Sequence, residues 1–293
     1  MLKCFIALVV STTITFTGDI LLDRGVRRQI EARGTECLFT AGIDSVLRAS
    51  DFVVGNLECP ATTVDAPTYK RFVFRAEPQW LDALRTHHFT HLNLANNHSV
   101  DQGRRGLEDT HRQVMAHGMT PLGAAATQQE AQQPFLLTES PRRVWLIPTL
   151  RLPLENFPWL PQKWSVSQED ENPLIARIAS LRAADSTAVI IVMPHWGWEH
   201  HERPEPQQRY FARRLVDAGA DAIIGHHPHT LQTIETYRGR PIYYSIGNFI
   251  FDQQKPINTR ACIVSIDILS DSIVVRTHDI QIRNCAPILM GEK

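Results

Sequence analysis

Short runs rich in Val, Ile and Phe alternate along this chain with longer stretches of helical spacing. The runs Thr13–Thr17, Phe52–Gly55, Arg71–Phe74, His91–Ala95, Phe135–Thr138, Val144–Ile147, Ala188–Met193 and Ala222–Ile224 predict strands. Ile190-Ile191-Val192 is uninterrupted by polar residues, as a strand covered on both faces requires. Between the runs, 106–117 places Leu107, Thr110 and Val114 on one helical face. Residues 172–184 place Leu174, Ile178 and Leu181 likewise, and 205–218 carry Phe211 and Leu215 before Gly219 stops the helix. From Leu231 onward the helical spacing fades, and 231–235, 242–245, 262–268 and 272–278 predict strands. Early βα units followed by a β-rich end predict a single α/β domain over 1–293. Residues 150–170 carry Pro153, Pro158, Pro161 and two tryptophans. They read as a long surface excursion that can lie over a site.

Composition narrows the function classes. Hydrophobic residues make up 43% of the 293 residues and charged residues 21%, which suits a packed core. The net charge is -1 and like charges form no blocks, so nucleic acid is not an expected partner. The five cysteines are odd in number and widely spaced, so free thiols are expected rather than a disulfide framework. Lys3 precedes the apolar run Cys4 to Val10. That run looks like a short signal-peptide core but is too short to span a bilayer as a helix. It runs almost directly into Thr13–Thr17, so we read it as an uncleaved first segment and leave membrane association open.

The informative polar residues fall where apolar runs stop, the place where open α/β sheets bind ligands. Asp19 ends Thr17-Gly18-Asp19. Asn56 and Glu58 share a parity in Gly55-Asn56-Leu57-Glu58. Asn97 and His98 follow Leu94-Ala95-Asn96. His195 follows the most apolar run, with Glu199, His200 and His201 just beyond. His226, His227 and His229 follow Ala222–Ile224, so three of the 13 histidines fall within four positions. In an extended segment His227 and His229 face the same side, and Pro228 stiffens the link. Asp252 closes Gly247-Asn248-Phe249-Ile250-Phe251, where it lines the site or orients a ligand histidine. The Gly247-Asn248 pair also reads as hairpin punctuation.

Carboxylate, amide and imidazole groups without thiolates suit Mn²⁺, Fe or Zn²⁺. Two such cations can activate water and stabilise charge on a phosphoryl or carbonyl oxygen. No G-x-S-x-G, Walker loop or G-x-G-x-x-G is present, so serine-nucleophile and nucleotide chemistry lack support. A (β/α)₈ amidohydrolase would carry its His-x-His pair at the first strand, not at position 227.

Six segments in this order resemble the CapA family of bacterial poly-γ-glutamate capsule synthesis proteins. They are Gly18-Asp19, Gly55-Asn56-Leu57-Glu58, Ala95-Asn96-Asn97-His98 with Asp101-Gln102-Gly103, His195-Trp196-Gly197, His227-Pro228-His229 with Gln232, and Ser245-Ile246-Gly247-Asn248-Phe249. Lys70-Arg71-Phe72-Val73-Phe74-Arg75-Ala76 adds to the likeness, which runs from about Ile14 to Asp252. That family is similar to the calcineurin-like metallophosphatases. The resemblance implies a four-layer α/β/β/α sandwich, two mixed sheets flanked by helices, with two divalent metals at one edge. It implies Asp19 on one metal, Glu58 between the two, and Asn97, His195, His227 and His229 completing the set. It gives His98 a role on the substrate or leaving group, with Asn97 and Asp252 beside it. The implied partner is the capsule polymer or its synthesis machinery at the cell envelope. The implied activity is phosphoester or amide hydrolysis; a non-catalytic part in polymer assembly or export is the alternative. Where phosphatases carry Asp-x-His, this chain has Asp19-Ile20-Leu21, and a glutamate replaces their bridging aspartate.

Overall fold

The computed structural model describes residues 11–291. The apolar run Cys4 to Val10 lies outside them. Two sheets carry the architecture. The first has eight strands. Thr12–Ile20 pairs in parallel with Phe52–Leu57, which pairs with His91–Asn93, which pairs with Thr120–Leu122. On its other side Thr12–Ile20 pairs antiparallel with Arg260–Ile268, followed by Ile273–Arg283 and Ala286–Leu289. The second sheet has six strands. Val144–Leu150, Val189–His195, Ala222–Ile224 and Arg240–Tyr243 run parallel, with Phe135–Thr138 and Ile234–Tyr237 antiparallel at the edges.

Three apolar cores stack these sheets into the expected α/β/β/α sandwich. The inner core sets Ile14, Phe16, Val54, Val264 and Ile266 of the first sheet against Leu146, Val189, Ile191, Met193 and Ile224 of the second. The outer core of the first sheet packs Val53, Leu57 and Leu92 under Val26, Ile43, Leu84 and Leu107. Those four come from the helices Arg24–Arg33, Ala41–Arg48, Leu81–Thr86 and Gly103–Ala116. The outer core of the second sheet packs Ile190, Val192 and Ile223 under Leu174, Ile178, Phe211 and Leu215 of helices Glu171–Ala184 and Pro206–Asp217. Ile190 and Ile191 therefore point to opposite cores, which is why that run needed no polar residue.

Several expectations shift. Residues 71–74 form no strand, because the Phe74 N–H goes to the Asp101 carboxylate at 2.7 Å rather than to a ladder. The expected strands 231–235 and 242–245 are Ile234–Tyr237 and Arg240–Tyr243, joined through Arg238 and Gly239 at φ 50° and 75°. Two positive φ values in a two-residue loop match the strand twist of a type I′ hairpin. Gly247-Asn248 is not hairpin punctuation. Asn248–Ile250 adds a parallel strand to the end of Thr12–Ile20, pairing Asn248 with Asp19. A Cβ on Gly18 would stand 2.0 Å from the Gly247 carbonyl oxygen, so only glycine admits this approach. The excursion 150–170 is largely irregular, with the short strand Ser165–Val166 pinned to Ala124–Ala125. Of the cysteines, Cys37, Cys59, Cys262 and Cys285 are free thiols, and Cys4 is outside the described residues.

Candidate metal centre

Parallel pairing brings the polar ends of four strands into one row. Asp19 stands in register with Asn56 and with Asn248, and Asn56 with Asn93. In the second sheet His195 bridges His226, so both sheets present polar ends at the same edge. Asp19, Glu58, His195, His227 and His229 meet there, all buried. Their ligand atoms form two groups, Asp19–Glu58–His229 and Glu58–His195–His227, each within 4.8 Å. Glu58 belongs to both.

Glu58 is the test of whether cations fit. It is fully buried, and neither carboxylate oxygen has a hydrogen-bond partner. Its Oε1 lies 3.6 Å from His195 Nε2 and 3.6 Å from His229 Nε2. Burial, then the Asp19 carboxylate, pushes its carboxyl well above the usual range. An unpaired buried carboxylate costs several kcal/mol, and a cation removes that cost. The surrounding groups are arranged for one. Burial, reinforced by neighbouring imidazoles, holds His195 far below the ordinary histidine value, and His227 falls to about 3. Both rings are therefore neutral, the form that binds metal. His227 Nδ1 has no partner.

The second ring of contacts fixes the ligands. Burial alone would raise the Asp19 carboxyl, but His229, 3.2 Å away, and the Asn56 amide, donating at 2.8 Å, hold it below the usual range. Asn56 is itself held through Oδ1 by the Asn93 and Asn96 amides. His195 Nε2 lies 2.8 Å from Asn97 Oδ1, with Asn56 Nδ2 3.4 Å from its Nδ1. Asn248 Oδ1 lies 3.0 Å from His229 Nδ1. His227 and His229 converge differently from the extended pattern expected. Both take positive φ, 99° and 54°, so a left-handed bend aims them rather than strand parity. Non-glycine residues held in that region mark a backbone over-determined by its surroundings.

The family profile described as "Bacterial capsule synthesis protein PGA_cap" matches residues 13–253. The chain belongs to this family. It is 33% identical over 246 residues to the PGA biosynthesis protein CapA of Bacillus subtilis (strain 168), covering 82% of this chain and 63% of that protein. It is 33% identical over 250 residues to the capsule biosynthesis protein CapA of Bacillus anthracis, covering 82% and 60%. A probable polyglutamine synthesis accessory protein of Mycobacterium tuberculosis (strain ATCC 25618 / H37Rv) matches at 30% over 219 residues, 70% of this chain and 57% of that one. The PGA_cap chain thus spans about three-fifths of the relatives it matches. The sulfate thiohydrolase SoxB of Thermus thermophilus overlays 82% of this chain and 42% of its own at 11% identity, with a TM-score of 0.49. That likeness is too slight to add to the architecture read from the three cores. No helix among the described residues of the PGA_cap chain is long and apolar enough to cross a membrane.

One expected site residue of this PGA_cap chain is placed elsewhere. Asp252 orients no ligand histidine. Its carboxylate pairs with Arg24 and accepts from the Gly25 N–H at 3.0 Å, tying down the start of helix Arg24–Arg33. His98 does sit beside the centre, stacked on Phe74 at 4.2 Å between centroids. Its Nδ1–H donates to Asp101 at 2.8 Å, and Lys70 pairs with the other Asp101 oxygen. Burial lowers the His98 value while Asp101 opposes the shift. Asp101 entered only within a segment of the family likeness; its spacing three after His98 was the available signal. The fragment around Lys70 entered only through the family likeness. Its ammonium donates to the Asn97 carbonyl at 2.9 Å and closes that network. Leu21, two residues after Asp19, is fully buried in the outer apolar core.

Proposed function

We propose that this chain is a metal-dependent hydrolase of capsule or poly-γ-glutamate synthesis, acting on a phosphoester or amide. One observation carries the reading: Glu58 is buried with both oxygens unpartnered at the shared corner of two ligand groups. Asp19, Glu58 and His229 would hold one divalent cation; Glu58, His195 and His227, with Asn97 Oδ1 beside them, would hold the other. When bound, Mn²⁺, Fe or Zn²⁺ supplies a water of lowered pKa and polarises a phosphoryl or carbonyl oxygen. The chain's own groups do the rest. Asp101 fixes the His98 tautomer through Nδ1, leaving Nε2 to carry a proton to a leaving oxygen or nitrogen. Lys70 neutralises Asp101, so His98 is not drawn permanently into its charged form. Asn56 and Asn248 keep Asp19 and His229 from rotating away. The polymer or its synthesis machinery is the partner this reading assigns, as the names of the relatives suggest.

The test is elemental analysis of purified protein, followed by turnover of p-nitrophenyl phosphate and of γ-glutamyl amides with Mn²⁺. Two metals per chain and turnover of either class are expected. Bound metal without turnover of either would sink the catalytic reading. The buried Leu21 favours a second one, a non-catalytic envelope factor, because it withdraws an imidazole from the Asp19 side. In that case His227→Ala with His229→Ala leaves polymer production intact in cells where deletion abolishes it.

A further inference from the structure

A cavity of about 520 Å³ shares no residue with either ligand group. Arg203, Arg209 and Arg213 line it, with the single carboxylate of Glu235 and an apolar wall of Pro204 and Ile234. Pockets that hold small organic ligands span about 300–1,000 Å³, so this one has room for more than a lone ion.

Helix Pro206–Asp217 sets Arg209 and Arg213 four residues apart, on one face. Glu235, on strand Ile234–Tyr237, organises them. Its Oε1 accepts from Arg213 Nε at 2.8 Å. Its Oε2 accepts from the Tyr244 hydroxyl at 2.9 Å, with Arg209 Nε 3.5 Å away. Burial alone would raise this carboxyl, but the Arg213 and Tyr244 hydrogen bonds hold it below the usual range. Arg203 makes no ion pair among the described residues, and its carbonyl accepts from Gln232 Nε2 at 3.4 Å. The nearby Glu202 pairs with Arg260, and Glu205 caps the helix; neither lines the cavity. Three guanidinium groups thus face one carboxylate. Arg209 and Arg213 keep 52% and 43% of their side chains exposed. The wall beside them narrows the ligand further. Ile234 is 45% exposed there, and a small hydrated anion would leave that apolar surface uncovered.

We infer that this cavity docks an anionic polymer whose carboxylates are spaced by methylenes, the poly-γ-glutamate chain of the proposed function. The identity of the polymer rests on that reading; the recognition of a polyanion does not. Successive α-carboxylates meet Arg203 and Arg209, with Arg213 anchored on Glu235 beside them. The methylenes between them lie on Ile234 and Pro204. The loop 196–205 starts where Val189–His195 ends and delivers Arg203 and Pro204 to this cavity. Docked polymer is thereby held on the segment that leaves the metal centre.

The test is fluorescence anisotropy of a dye-labelled γ-glutamyl oligomer titrated with the metal-loaded full chain. The parent is compared with the Arg203→Gln, Arg209→Gln double variant. Both positions are exposed, and the variant keeps the contacts among Arg213, Glu235 and Tyr244. It is expected to bind about tenfold more weakly or worse, and the parent's affinity should fall as salt rises from about 0.05 M to about 0.5 M. Free glutamate should compete about a hundredfold less well than the unlabelled oligomer, because it engages one contact at a time. The Arg33→Gln, Arg142→Gln variant makes the same charge change outside the cavity and should match the parent. Equal binding by parent and cavity variant, an equal loss in the outside variant, or competition by glutamate at oligomer concentrations would overturn the inference. Polymer binding without turnover of any substrate would sink the hydrolase reading and leave the docking site standing. Hydrolysis of p-nitrophenyl phosphate by a chain that binds no polymer would do the reverse.

Discussion

Asn97 Oδ1 and His195 Nε2 stand 2.8 Å apart across the seam between the two sheets. Asn97 follows His91–Asn93 of the first sheet, and His195 ends Val189–His195 of the second. Asp19 and Glu58 likewise come from the first sheet, His227 and His229 from the loop after Ala222–Ile224. Candidate ligands from opposite sheets converge on Glu58, so a bound cation would tie the sheets together. Metal removal should therefore lower stability as a whole. At free metal about 100- to 1,000-fold above Kd, the linkage is worth about 3–4 kcal/mol. Calorimetric scans before and after chelation measure it; an unchanged Tm would mean that no cation holds this seam.

Glu58→Gln should move metal binding and apoprotein stability in opposite directions. The amide is nearly isosteric and replaces a fully buried carboxyl that has no donor and whose charged form burial disfavours. The chelated variant is expected to gain about 1–3 kcal/mol over the chelated parent in denaturant titrations. Its metal content should fall below that of the parent, because both ligand groups lose their shared carboxylate.

Asp252→Asn should damage the fold and leave the centre alone. The carboxylate pairs with Arg24 and accepts from Gly25 N–H. Loss of the charge is expected to cost about 1–2 kcal/mol, the scale of a charge-assisted cap. Metal stoichiometry should match the parent. A drop in bound metal at unchanged stability would return Asp252 to the site.

His91, outside both candidate ligand groups, predicts an acid-labile apoprotein. Burial between Phe52 and Phe135 pushes it down to about 4, against about 6.5 for a free histidine. The unfolded chain binds the proton first, so stability is full above about pH 6.5 and falls as pH drops toward about 4. The loss is at most roughly 3 kcal/mol. His91→Phe should flatten this part of the profile, measured as the difference between parent and variant in urea at pH 7 and pH 4.5. Parallel profiles would show that His91 keeps its proton in the fold.

The sequence by itself determined most of the strands and roughly where they stop, though residues 71–74 form none and the strand expected at 231–235 lies at Ile234–Tyr237. Ile190-Ile191-Val192 and Ala222–Ile224 could only be covered strands, and a polar residue at the end of such a run has to be satisfied by something. That local contrast singled out Asp19, His195 and His227 as candidates without a structure, while Glu58 entered as a metal candidate only through the family likeness. The helix Arg24–Arg33 was not legible, since its sequence RGVRRQIEAR offers only Val26 and Ile30 to a core. Its anchor, Asp252, lies more than two hundred residues away. Tertiary structure alone decided which candidate ligands stand within reach of a common cation. Parallel register put Asp19, Asn56 and Asn248 in one row, and the inner apolar core pressed the second sheet's histidines against them. Those are long-range facts of pairing and packing, and no local pattern encodes them. The left-handed turn at His227 and His229 is of the same kind, because the contacts around it, not the residues within it, impose the bend.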